Sequence, residues 1–211
     1  MSDPALTSKV VNRAIGLVSA GSTFDAVMDD TLGIADAACP SPIWSTIASV
    51  DRNRDVRALG KWMLDKLMEH PRPARLTGLW FGLYEVGPAG EQYPMGAEAV
   101  LKLSGGRGFP HDPDWLFKQD WYPGGYAPTP GLGSLLGIAA SSQDHFGLVS
   151  YAFVLTYSLG LVAAALDATD PSQVLQGADQ VGIAVGFHDG DIAQLGVLSD
   201  SGLDRSTLGW A

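Results

Sequence analysis

The sequence predicts an α+β fold, an antiparallel sheet of about four strands in two hairpins, packed with a long buried helix and preceded by N-terminal helices. Three observations carry this. Apolar residues recur at helical spacing through residues 1–73, segments 76–104 and 181–198 read as strand–turn–strand units, and Phe146–Leu166 is an uncharged run far longer than a strand. The 46% apolar and 17% charged composition of the 211 residues can fill a core without disulfides or metal. No disordered linker divides the chain. Residues 1–211 are therefore read as a single α+β domain, 1–73 mainly helical and 74–211 sheet and buried helix.

The elements follow in order. Asp3-Pro4 pairs a capping residue with proline at the first helical position, and Leu6, Val10, Ala14 and Leu17 then share a stripe until Gly21. Ser22 with Asp25 three residues later resembles a capping box with Asp in place of Glu. It opens a helix whose apolar face is Phe24, Val27, Met28 and Leu32. A third helix is predicted from about Arg54 to His70. Val56, Leu59, Met63 and Leu67 face inward, Arg57, Lys61, Asp65 and Glu69 face out, and Pro71 and Pro73 stop it. Leu76–Val86 is rich in aromatic and branched residues and reads as a buried strand. Met95–Ser104 alternates, with Ala97, Ala99, Leu101 and Leu103 on one face and Glu98 and Lys102 on the other. The intervening 87–94 reads as a hairpin loop, so the two strands pair antiparallel.

Residues 105–130 are dense in Gly, Pro and aromatics and read as a long loop, a kind that is often functional. Its Trp115, Trp121, Tyr122 and Tyr126 either cover the core or form a contact surface for a partner. Covering is favoured, since rings in Pro/Gly loops commonly lie over sheets. Phe146–Leu166 is long enough to span a bilayer. Yet Asp144 and Asp167 flank it without Lys or Arg, and Ser150, Tyr151, Thr156, Tyr157 and Ser158 suit a helix buried in protein, so no membrane is expected. Finally, Asp189-Gly190 is a two-residue type I′ turn signal that pairs His188 with Asp191, Phe187 with Ile192 and Ala184 with Leu195. One face then carries Gly182, Ala184, Gly186 and Ala193, and helix 146–166 is its expected occupant.

The charge distribution bounds the partners. Formal net charge is -10, and seven of the 13 basic residues (Arg52, Arg54, Arg57, Lys61, Lys66, Arg72, Arg75) share one short segment. After Lys118 the only basic residue is Arg205, against nine acids from Asp120 to Asp204. Such a chain repels phosphate backbones, so no nucleic acid is expected and a basic protein is the natural complement of the C-terminal half. The plain alternative is that the acids serve solubility. Cys39 is alone and has no basic neighbour, which fits an inert thiol in a reducing cytoplasm, and the N-terminus shows no export signal.

The pattern His-Asp-x-Asp occurs twice, as His111-Asp112-Pro113-Asp114 and His188-Asp189-Gly190-Asp191. Imidazole with two carboxylates can bind a divalent metal, which makes His111, Asp112, Asp114, His188, Asp189 and Asp191 candidate ligands. The same groups can act as acid and base, with His188, Asp191 and His111 the candidates. The competing explanation is ordinary turn chemistry, with His188 and Asp191 a cross-strand ion pair, and it is favoured because short motifs match by chance. No P-loop, nucleophile elbow or zinc-spaced Cys/His set occurs, and Gly131–Gly137 lacks the strand–turn–helix surroundings of a dinucleotide loop. No cofactor is expected.

Two stretches carry a resemblance. Trp80-Phe-Gly-Leu-Tyr84, Asp112-Pro-Asp-Trp115 and Trp121-Tyr-Pro123 form one, and Val185-Gly-Phe-His-Asp-Gly-Asp-Ile192 with Leu195-Gly196 forms the other. Together they resemble a loose set of bacterial cytoplasmic proteins of unknown activity, and some α+β proteins of similar composition are immunity partners of secreted toxins. The resemblance omits the N-terminal helices and rests on turn and packing residues, so it implies no catalytic assignment. The expectation is a non-catalytic protein-binding protein of immunity or accessory type. The alternatives are a metal-dependent or acid/base enzyme using the His/Asp clusters, and a subunit that docks through its aromatic loop.

Overall fold

The computed structural model describes residues 3–86, 98–111, 115–116, 118–207 and 209–210. Four helices open the chain: α1 (Pro4–Ser19), α2 (Phe24–Ala38), α3 (Ile43–Ala48) and α4 (Arg52–Glu69). Asp3 caps α1 by accepting from the Ala5 amide at 2.9 Å, and Val10, Ala14 and Val18 bury its stripe. The expected cap of α2 moves by one residue. Thr23, not Ser22, accepts from the Ala26 amide, and Asp25 instead reaches Arg52 at 2.7 Å. Short α3 carried no periodic signal. Ile43, Trp44 and Ile47 bury it all the same.

The rest of the chain runs β1 (Gly78–Val86), β2 (Glu98–Gly106), β3 (Gln119–Trp121), α5 (Pro130–Ala140), a π-helical turn (Leu148–Phe153), α6 (Val154–Asp167), α7 (Pro171–Leu175), β4 (Gln180–Phe187), β5 (Ile192–Ser199), β6 (Gly202–Asp204) and β7 (Gly209–Trp210). The proposed loop 87–94 and Ala97 lie outside the described residues.

Both hairpins form, but the sheet is larger and mixed, which corrects the four-stranded antiparallel expectation. Its order is β3-β2-β1-β4-β5-β6, with β7 also on β5, and β1 pairs β4 in parallel. The reason is visible in β1, which is buried on both faces from Gly78 to Leu83. A strand apolar on both sides belongs in the middle of a sheet covered twice. The long connection through α5, α6 and α7 returns the chain to the free edge of β1 in the same direction.

One face packs on the helices. Leu79, Phe81 and Leu83 of β1, Leu101 and Leu103 of β2, and Ile183 and Val185 of β4 share a core with α1 to α6. Helix α6 is central, with Leu155, Tyr157, Leu159, Leu161 and Val162 fully enclosed. Each such aliphatic side chain contributes about 1.5–3 kcal/mol by leaving water. The segment Leu148–Asp167 is long and apolar enough to cross a membrane, yet 83% of its apolar window is buried inside the protein.

The hairpin register is shifted from the two-residue turn. Phe187 donates its amide to the Asp191 carbonyl at 3.0 Å, and Gly186 pairs with Ile192, so the loop is His188-Asp189-Gly190. A bulge between Ile183 and Ala184 then restores phase by leaving Leu195 unpaired against β4. The small-residue face is also assigned to the wrong neighbour by the sequence. Phe109, Trp115 and Leu116 cover it, together with Trp80 and Ile192, while α6 lies on the opposite face and Ala193 joins that side.

Candidate functional site

Alternation along β1 sends Trp80, Gly82 and Tyr84 to the face away from the helices. Register places Ser104, Lys102 and Val100 of β2 opposite them. On the other flank Ala184 and Gly186 of β4 stand beside Trp80 and Gly82. Phe109 and Trp115 cover one end of this face. The other end carries a cluster of rings.

His188 is held there by its amide, which donates to the Leu83 carbonyl at 3.0 Å. Its ring stacks on Tyr84 at 4.6 Å with a 24° tilt, and the Tyr84 hydroxyl shares a 3.0 Å hydrogen bond with Nδ1. The Trp80 ring lies 6.2 Å from the imidazole, tilted by 26°. Tyr126 approaches Tyr84 at 6.3 Å. The Lys102 ammonium sits 5.7 Å from the Tyr84 ring centre and 5.8 Å from that of Tyr122. Tyr122 is fixed in turn by donating its hydroxyl to the Gln119 carbonyl at 3.1 Å. Burial, with Tyr122 and Tyr126 alongside, pushes the Tyr84 phenol above its ordinary value. Tyr122 and Tyr126 remain 57% and 49% exposed, so the cluster is an open surface and not a closed pocket.

The residues singled out in the sequence divide sharply. His188 and Asp191 do not form the cross-strand pair. His188 turns to Tyr84, whereas Asp191 accepts a hydrogen bond from Tyr151, whose ring stacks on Phe187 at 5.3 Å. Burial and then the hydrogen bond to Asp191 push the Tyr151 phenol up. Asp189 is exposed at the loop tip. His111 is exposed, with its amide on the Gly108 carbonyl, and Asp112 and Asp114 lie outside the described residues. Among the described residues no three His, Cys, Asp or Glu side chains gather as a metal site would require. Of the aromatic quartet, Trp115 and Trp121 are buried, in the outer and inner cores respectively, and only Tyr122 and Tyr126 reach the surface.

Charge is likewise redistributed by the fold. Much of the basic segment is answered internally: Arg52 meets Asp25 and Asp29, Lys61 meets Asp65, Lys66 meets Glu69, and Arg75 meets Asp120. Arg72 is buried and donates to the Leu76 and Leu175 carbonyls, and burial pushes its guanidinium below the ordinary value. In the C-terminal half Asp144, Asp170, Asp179, Asp189, Asp191, Asp200 and Asp204 are exposed. Among the described residues none of these seven meets a lysine or arginine. A cleft of about 380 Å³ between α2, α4 and α6 holds Arg52, already paired.

Sequence reasoning missed Lys102 and Tyr84 as partners. The signal was present in the alternation of both strands, but pairing Lys102 with Gly82 needed the register. No protein-family model, curated protein or solved structure matches the chain.

Proposed function

We propose that this chain is a non-catalytic protein-binding protein of cytoplasmic, immunity or accessory type. The observation that carries the reading is the open cluster of Tyr84, Tyr122 and Tyr126 around Lys102 and His188. Tyrosine is enriched where binding energy concentrates, because its ring offers large contact area with little conformational freedom to lose. The unanswered acids of the C-terminal half favour a basic protein and would speed its approach.

The test is capture from the native host with the tagged chain, followed by identification of what co-elutes in stoichiometric amount. A single basic protein is expected. Replacing both Tyr122 and Tyr126 with Ala should weaken its capture by about tenfold or more, the scale of one hot spot. Clean elution of the wild-type chain alone would remove the reading. The Tyr84–His188 pair favours a second reading, an acid/base enzyme, and His188→Ala then abolishes whatever activity is found.

A further inference from the structure

We propose that Lys102 is the seat for a carboxylate of the partner protein, with an apolar residue beside that carboxylate lying on Tyr122 and Tyr126. The inference rests on the protein-binding reading and names the chemistry of its contact. Lys102 is half-buried, with its ammonium within cation–π reach of two tyrosine rings. Those rings displace part of its hydration and supply no charge. No carboxylate among the described residues pairs with it, although the chain carries 23 acids. Among the described residues it is a cation without a carboxylate partner, on a predominantly acidic molecule.

The neighbours select the ligand further. The Tyr84 hydroxyl and Nδ1 of His188 occupy each other, and the Tyr122 hydroxyl is spent on the Gln119 carbonyl. What the cluster still offers is the ammonium, the remaining ring nitrogen of His188 and the tyrosine faces. A cationic side chain would be repelled by Lys102. A carboxylate gains a charge-assisted hydrogen bond from an ammonium that is itself only partly exposed. The rings around it then accept the apolar neighbour. The acidic C-terminal surface draws a basic partner, and Lys102 fixes its register through one acid of opposite sign to the rest.

The test uses two capped dipeptides, acetyl-Trp-Glu-amide and acetyl-Trp-Gln-amide, titrated into the full chain and followed by NMR at the Lys102 side chain and the tyrosine rings. The Glu peptide is expected to shift these signals and to bind roughly fivefold tighter than the Gln peptide, the size of one partly desolvated charge pair. Lys102→Gln should erase the difference and Lys102→Arg should keep it, with circular dichroism confirming that both variants fold. Equal binding of the two peptides, shifts that map elsewhere, or no binding of either overturns the carboxylate seat. The protein-binding reading stands or falls separately, on the capture of a partner.

Discussion

Asp55 is wholly buried on α4, in a position that the sequence presents as an ordinary acid in a helix's first turn. Its carboxylate accepts from the Gly131 amide at 3.1 Å, the Leu132 amide at 2.9 Å and the Tyr157 hydroxyl at 3.0 Å. Those amides open α5, and the side chain of its own cap residue Thr129 makes no capping bond, so one helix supplies the N-cap of another. Burial and then the Asp55 charge push the Tyr157 phenol up. Asp55→Ala would strand two amides and a hydroxyl, and about 3 kcal/mol or more of stability should be lost. Tyr157→Phe, which removes one donor only, should cost about 1 kcal/mol. Urea midpoints at neutral pH measure both, and an Asp55→Ala loss no greater than that of Tyr157→Phe would refute the shared cap.

At the scale of elements, the decisive feature is a row of glycines. Gly106, Gly78 and Gly182 lie side by side across β2, β1 and β4. Trp115 presses on Gly78 and Gly106, and Phe109 on Gly182, where a Cβ would stand 2.6 Å from the ring. The row therefore makes room for two aromatic rings, and Phe109, Trp115 and Leu116 cover the face that the helix was expected to cover. Adding a methyl at such a contact should cost about 1–3 kcal/mol, so Gly182→Ala and Gly78→Ala are expected to lower the melting temperature. Gly33 lies exposed within α2 with nothing near its would-be Cβ. Gly33→Ala should instead raise stability by about 0.5–1 kcal/mol, since it removes freedom from the unfolded chain and restores helix propensity. Thermal melts of the three variants compare these opposite signs directly, and a stabilising Gly182→Ala would refute the close approach of Phe109.

For the whole molecule, the tyrosines set an alkaline limit. Tyr84, Tyr151 and Tyr157 all have raised values in the folded chain, each chiefly through burial. A raised phenol stays protonated in the fold while the unfolded chain ionises. Its contribution is complete below the ordinary tyrosine value near 10 and is lost as pH rises through the raised folded values. Stability should therefore fall above about pH 10. Tyr157→Phe should fall less steeply there than the wild type, because one of the three linked protons is gone. Chemical denaturation at several alkaline pH values gives the two slopes, and parallel slopes would show that Tyr157 does not contribute.

Much of the local structure was legible in the chain. Asp3-Pro4, the stripes of α1, α2 and α4, the alternation of β2 and the length of the apolar run before Asp167 each express a short-range rule of period or capping, and each element formed where its rule put it. The antiparallel pairing of β1 with β2 was readable for the same reason, since the two strands are close in sequence. The parallel union of β1 with β4 was not, because nothing near either strand encodes a partner some hundred residues away. The one-residue change at the His188 loop was decided by the backbone bond from Phe187 to Asp191. It turned His188 toward Tyr84 and left Asp191 to Tyr151, dissolving a motif that was contiguous only in sequence. The candidate site has the same origin. Tyr84, Lys102, Tyr122 and His188 come from four separate stretches of chain. Sequence determines which way each side chain points along its own strand or loop, and only the tertiary packing decides which of them meet.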